Sequence, residues 1–304
     1  MPGNKPSQIT TQTIPERQQN RSYGGVLTAA FRIVTRRFKT IARSLWLYAA
    51  AYAVVAAYVT VGCVHNLRSD VAAQMELPAT SDLLWAAAAV VLMFVAATAL
   101  YGRIGALLVT MTGGSPAGGS RLMPYMVRSL AVNVFVCVLT TVVAAIAVAA
   151  WLAVSRLDWL WIIYAVAAVA YLLLLPYIYA AVTYLAEGGG LRHLLGTGYT
   201  KGLRHYGFIF ITWLLTTILT SIVSLVVCLP MLVLLTALGT AVGGAMMGDE
   251  LGLPSYFYPL MYVVTALTFF ILTAVTVYTL FVYYYMAGSI DTRSKEEKRI
   301  RDEL

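Results

Sequence analysis

FIFITWLLTTILTSIVSLVVCLPMLVLLTAL, residues Phe208–Leu238, contains no Asp, Glu, Lys or Arg. A run of roughly 18 or more apolar residues is long enough to cross the hydrocarbon core of a bilayer as a helix. The apolar positions here run continuously and do not alternate, so the segment reads as a helix and not as a barrel strand. Read outward from it, the chain repeats the pattern at Ser44–Val64, Leu83–Tyr101, Leu130–Val154, Trp159–Leu185 and Pro259–Ala287. The expectation is an all-α polytopic membrane protein with about six transmembrane helices, spanning 44–287.

Composition agrees. The chain is 60% hydrophobic and 11% charged, against about 45–50% and about 25% for soluble domains. So few charges could not cover a surface in water. Ala86–Ala89 and Ala144–Ala150 fit close helix packing in lipid. Pro176 and Pro230 fall inside the fourth and fifth spans, where each removes a backbone hydrogen bond and is expected to bend its helix. They are read as packing bends or as hinge candidates.

Two of the 21 lysines and arginines, Arg68 and Arg156, fall in the odd connections, and the connection after span five has only Asp249 and Glu250. The rest lie before span one, after spans two and four, and in the tail. The positive-inside rule then predicts a bacterial-type inner membrane protein with both termini cytoplasmic. This distribution explains the net charge of +8 without nucleic acid as a partner. The final Arg301-Asp302-Glu303-Leu304 is close to a lumenal retention signal, but a cytoplasmic tail would not be read by it.

Residues 1–22, rich in Gln, Thr, Pro and Arg, read as a disordered polar tail, with no secretory signal pattern. Residues 23–43 carry helical periodicity. Arg32, Arg36, Lys39 and Arg43 fall within roughly a 60° arc, opposite Val26, Leu27, Ala30, Phe31, Val34, Phe38 and Ile41, with Arg37 the one misfit. This predicts an interfacial amphipathic helix with its basic face toward anionic headgroups. Its role is either anchoring the first span or recognising lipids or a partner. Residues 288–304 form a charged tail.

Three similar points suggest three hairpins repeating at roughly 80 residues, a period outside solenoid values. Arg43-Ser44-Leu45, Arg128-Ser129-Leu130 and Arg204-His205-Tyr206 open the odd spans, and glycines follow the even ones. Arg128 and Arg204 therefore join the headgroup or partner candidates.

Gly24-Gly25-Val26-Leu27-Thr28-Ala29-Ala30-Phe31, then a basic stretch, then the first span, resembles the membrane-domain family associated with glycerophosphodiester phosphodiesterases. The run Phe281-Val282-Tyr283-Tyr284-Tyr285 before a charged tail is similar to how that family closes. The likeness covers about Gly24 to Glu297. It implies the fold and membrane setting of the stand-alone six-helix relatives. It does not imply phosphodiester hydrolysis, because the soluble catalytic domain and its metal-binding residues have no counterpart here.

Chemistry is sparse. Cys63, Cys137 and Cys228 show no metal or redox spacing. His193 and His205 share a loop without paired carboxylates. Glu187 and Arg103 are placed to pair across span ends or to mark the interface. Gly113, Gly114, Gly118 and Gly119 lack a phosphate-loop pattern. Gly239, Gly243, Gly244 and Gly248 have small-xxx-small spacing and predict helix contact or a flexible outer loop. The spans hold no ionisable residue, which disfavours an ion-coupled carrier. Asn133 and threonines such as Thr140, Thr216 and Thr220 are their most polar groups, and the hydroxyls can bond back to their own helices. The expected function is non-enzymatic and cofactor-free, working through membrane lipids or another membrane protein. The alternative is a transporter or permease component for an apolar or amphipathic molecule.

Overall fold

The computed structural model describes residues 17, 19–72, 80–112, 122–153, 168–169, 171–190, 192–247 and 253–303. All regular structure among them is helical: α1 (Tyr23–Arg36), α2 (Phe38–Ala72), α3 (Thr80–Met111), α4 (Met123–Ala153), α5 (Pro176–Glu187), a π-helical turn at His193–Thr197, α6 (Gly198–Arg204), α7 (Tyr206–Met246) and α8 (Phe257–Glu303). Among the described residues, five stretches are long and apolar enough to cross a membrane: Phe38–Val64, Leu84–Met111, Met123–Ala145, Tyr206–Gly244 and Phe257–Glu303. That fits a multi-pass membrane protein. Of the span expected at Trp159–Leu185, most of the first half lies outside the described residues. Its second half belongs to a shorter apolar stretch, Tyr171–Glu187.

α1, α2, α5 and α7 pack directly on α8. α2 lies between α3 and α8, α4 against α3, and α7 against α8. Outward faces remain apolar: Ile222, Val226 and Val233 of α7 are all mostly exposed. In water such a surface would be costly, whereas lipid tails cover it without penalty. Threonine hydroxyls within the bundle bond back to their own helices, as at Thr140 to Val136, Thr216 to Thr212 and Thr220 to Thr216. Asn133 instead donates across to Thr98 at 3.1 Å and ties α4 to α3.

The best-buried core sits toward one end of the bundle. There Phe281, Val282, Tyr285, Met286 and Ile290 of α8 meet Ile104 and Leu108 of α3, Tyr179 of α5 and Ile209 of α7. α1 joins this core. Ser22 caps it, accepting from the Gly25 amide at 3.3 Å. Its face Val26, Ala29, Ala30 and Ile33 is buried, mainly against α8. The apolar face expected to enter the acyl region is thus largely covered by protein, and of its large residues Phe31 and Phe38 stay exposed.

The expected single helix over 23–43 is broken. Arg37, the misfit in the periodic pattern, leaves helical geometry at φ −105°, ψ 19°, and α2 begins at Phe38. His205 makes the same kind of break, φ −109°, ψ 29°, between α6 and α7. Two of the three odd spans are therefore approached alike, through a helix and a one-residue joint. The third differs, because α4 starts at Met123 and runs through Arg128 unbroken.

The tail expected to be disordered over 1–22 is packed where it is described: Arg17 and Gln19–Arg21 lie on α8. The charged tail from 288 is no separate segment, because α8 continues through it to Glu303. At Gly239 and Gly243 an added Cβ would meet nothing within 4 Å, so these two glycines make no close helix contact among the described residues.

Candidate functional site

Asp291 sits just beyond the apolar part of α8, where the aromatic run Tyr283–Tyr285 gives way to polar residues. Its side chain is 17% exposed. Tyr179 of α5 donates to Oδ1 at 2.6 Å, Lys201 of α6 reaches the same oxygen at 2.5 Å, and Arg17 approaches Oδ2 at 3.4 Å. One carboxylate thereby joins α5, α6, α8 and the N-terminal segment. Ion pairs to a partly desolvated carboxylate are stronger than surface pairs, and removing one member leaves the others unpaired.

Arg17 also pairs with Glu187 at the end of α5 and lies over the Tyr284 ring, 4.6 Å from its centroid. Arg21 covers Tyr285 at 5.1 Å, a favourable cation–π arrangement. Asn20 bridges Glu296 and Arg293, and Arg293 donates to the Arg21 carbonyl at 2.9 Å. Gly288 permits this docking: a Cβ there would lie 2.3 Å from the Arg17 carbonyl oxygen.

The residues expected to act at the membrane surface divide into two groups. Arg32, Arg36, Lys39 and Arg43 are all exposed, the first pair on α1 and the second on α2 across the Arg37 joint. Arg32, Lys39 and Arg43 form no ion pair among the described residues. Arg128 and Arg204 are engaged internally. Arg128 donates to the Ala186 carbonyl at 3.3 Å and stacks over Tyr125. It also packs on Gly188, whose φ of +81° and lack of space both require glycine. Arg204 pairs with Glu297 at 3.5 Å on a well-exposed face. Of the two readings of Glu187 and Arg103, a mutual pair does not form. Glu187 takes Arg17, and Arg103 donates to the Ser44 hydroxyl and carbonyl.

The two prolines behave differently. Pro176 opens α5 after a turn at Leu175 and has no amide hydrogen for the Leu172 carbonyl one turn back. That carbonyl instead accepts from the Leu175 amide and the Tyr206 hydroxyl, both at 3.2 Å. The next, Leu173, accepts from Tyr199 at 3.2 Å. The break is thus braced by α6 and α7. Pro230 lies inside α7, which runs through it without interruption.

His205 occupies the second joint. Burial pushes its imidazole below the ordinary value, and Arg204, Lys201 and Arg293 act in the same direction against Glu297. Its Nε2 is buried without a partner among the described residues. His193 belongs to the π-helical turn. Among the described residues, no three His, Cys, Asp or Glu side chains gather so as to hold a metal ion.

Sequence reading missed Arg17, Tyr179, Lys201 and Asp291. Chemically the cluster holds elements together, since both oxygens of Asp291 are engaged by donors from the chain itself. Arg32, Lys39 and Arg43, exposed and without an ion pair among the described residues, are groups available to an outside ligand. The chain matches no family model, no curated protein and no solved structure.

Proposed function

We propose that this is a non-enzymatic protein of a bacterial-type inner membrane, crossing it about six times with both termini cytoplasmic. It works by binding membrane lipids, or a partner membrane protein, at the basic end of its bundle. It would be a stand-alone relative of the membrane-domain family associated with glycerophosphodiester phosphodiesterases, on the strength of Gly24–Phe31 and Phe281–Tyr285. The excess of Lys and Arg in alternate connections supports the orientation.

The observation that carries the binding role is the set of exposed cations at the α1–α2 joint. Arg32, Lys39 and Arg43 stand out from the bundle without an ion pair among the described residues, whereas Arg17, Arg128, Lys201 and Arg204 are each held by protein groups. Each Lys or Arg near an anionic membrane surface contributes roughly 1 kcal/mol. The test replaces Arg32, Arg36, Lys39 and Arg43 by Gln and follows lipid and partner retention by native mass spectrometry at low salt. Loss of retained anionic lipid or of a stoichiometric protein is expected. Unchanged retention of both would refute the proposal.

A further inference from the structure

Below the Arg37 joint an apolar cleft of about 130 Å³ lies between α2 and α8. Phe38, Ala42, Trp46 and Ala49 form one wall, with Ala274 and Val277 opposite. Thr273 also lines it, but its hydroxyl donates to the Phe270 carbonyl at 2.6 Å, leaving its methyl group as what it can offer a ligand. A cleft without available polar groups does not retain water, and a hydrocarbon fills it better. From Phe38 to Ala49 the wall is about 16 Å long at 1.5 Å per residue. That is close to one leaflet of a hydrocarbon core about 30 Å thick. A volume of about 130 Å³ along that length suits a single slender acyl chain and falls well short of a helix about 10 Å across.

The rim is basic. Successive residues of a helix turn by about 100°, so Lys39 falls about 20° and Arg43 about 60° beyond Trp46 at the edge of the cleft-lining face. Both lie in the first two turns of α2, at the end where its apolar span begins. Neither has an ion-pair partner among the described residues.

On this charge complementarity and this depth, we propose that the cleft seats one acyl chain of an anionic phospholipid, with its phosphate held by Lys39 and Arg43. The assignment rests on the lipid-binding reading given above and narrows it to one site and one lipid class.

Trp46 is the reporter, being 58% exposed and part of the wall. The full-length protein is reconstituted in phosphatidylcholine vesicles containing a minority of chain-brominated lipid, either phosphatidylglycerol or phosphatidylcholine. The signal lost in Trp46→Phe isolates this tryptophan from the others. Brominated phosphatidylglycerol should be enriched about thirtyfold at Trp46 relative to brominated phosphatidylcholine. Lys39→Gln with Arg43→Gln, both exposed and so tolerated by the fold, should bring the two lipids to equal quenching.

Equal quenching in the wild type would overturn the cleft assignment. If the four-residue Gln variant still lost lipid in the native experiment, the broader reading would survive that result. If both comparisons were flat, both would fall. Quenching by either lipid that declines as protein density rises at fixed lipid composition would give the cleft to a second copy of the chain, and overturn the assignment too.

Discussion

The Tyr179 hydroxyl and the Asp291 carboxylate are 112 residues apart in the chain and 2.6 Å apart in space. The bond fixes the start of α5 against the point where α8 leaves its apolar span, and Lys201 and Arg17 complete the cluster around the same carboxylate. Asp291→Ala leaves both cations and the phenol without their common acceptor. Allowing for partial exposure, the cost should be about 2 kcal/mol. Tyr179→Phe should cost about 1 kcal/mol. Thermal midpoints in detergent will show both decreases, with Asp291→Ala the larger.

Gly288→Leu tests the docking of the N-terminal segment. The new side chain would occupy the position of the Arg17 backbone and should displace Arg17 and Gln19–Arg21 from α8 while leaving the bundle helical. Hydrogen exchange should then rise at Ser289–Arg293 with little change in α3. Unaltered protection there would mean that the segment adds nothing to the order of α8.

His205 predicts a pH dependence. Its folded-state pKa lies below the ordinary 6.5, so below that pH the unfolded chain takes up a proton that the folded chain resists. Stability is unaffected above 6.5 and is lost as pH falls from there toward the folded-state value. Melting temperature against pH should therefore fall on the acid side in the wild type. His205→Gln removes this component, and the difference between the two profiles isolates it from the carboxylates.

The brace at Pro176 can be measured by a double-mutant cycle. Tyr206→Phe removes one donor from the Leu172 carbonyl and should cost about 1 kcal/mol. Pro176→Ala supplies an amide hydrogen to the same carbonyl. In that background Tyr206→Phe should cost less, by at least about 0.5 kcal/mol. Equal costs in the two backgrounds would mean that the tyrosine acts by packing alone.

How much was legible in the sequence follows from the range of the forces involved. The apolar spans are local signals, so Phe208–Leu238 is found within a helix whose ends lie a little beyond it. Arg37 was visible as a fault in the periodic pattern, although the pattern alone did not reveal that the fault was a joint. The docking of Arg17 and Arg21 on Tyr284 and Tyr285 had no local signal. A polar segment rich in Gln and Thr has too few apolar groups to fold by itself, and Arg17 and Gln19–Arg21 are held by residues 170 or more positions away. The same is true of Asp291, which reads in sequence as one charge among many in a tail. Arg128 and Arg204 were grouped with the surface cations by a shared neighbourhood in sequence. Tertiary partners, Ala186 and Tyr125 for one and Glu297 for the other, separated them.

α8 has 47 residues without a break, and from Asp291 to Glu303 it extends about 18 Å with its outer turns exposed. Its inner part is clamped by the cluster around Asp291 and held as far as Glu297 by Asn20 and Arg204, so the turns beyond Glu297 are the arm of a lever. A small change of tilt within the bundle becomes a larger displacement at Arg301 and Glu303. The same rigidity works in reverse: a load applied at the tip passes first to Arg204 and Asn20, through Glu297 and Glu296, and then to the cluster around Asp291.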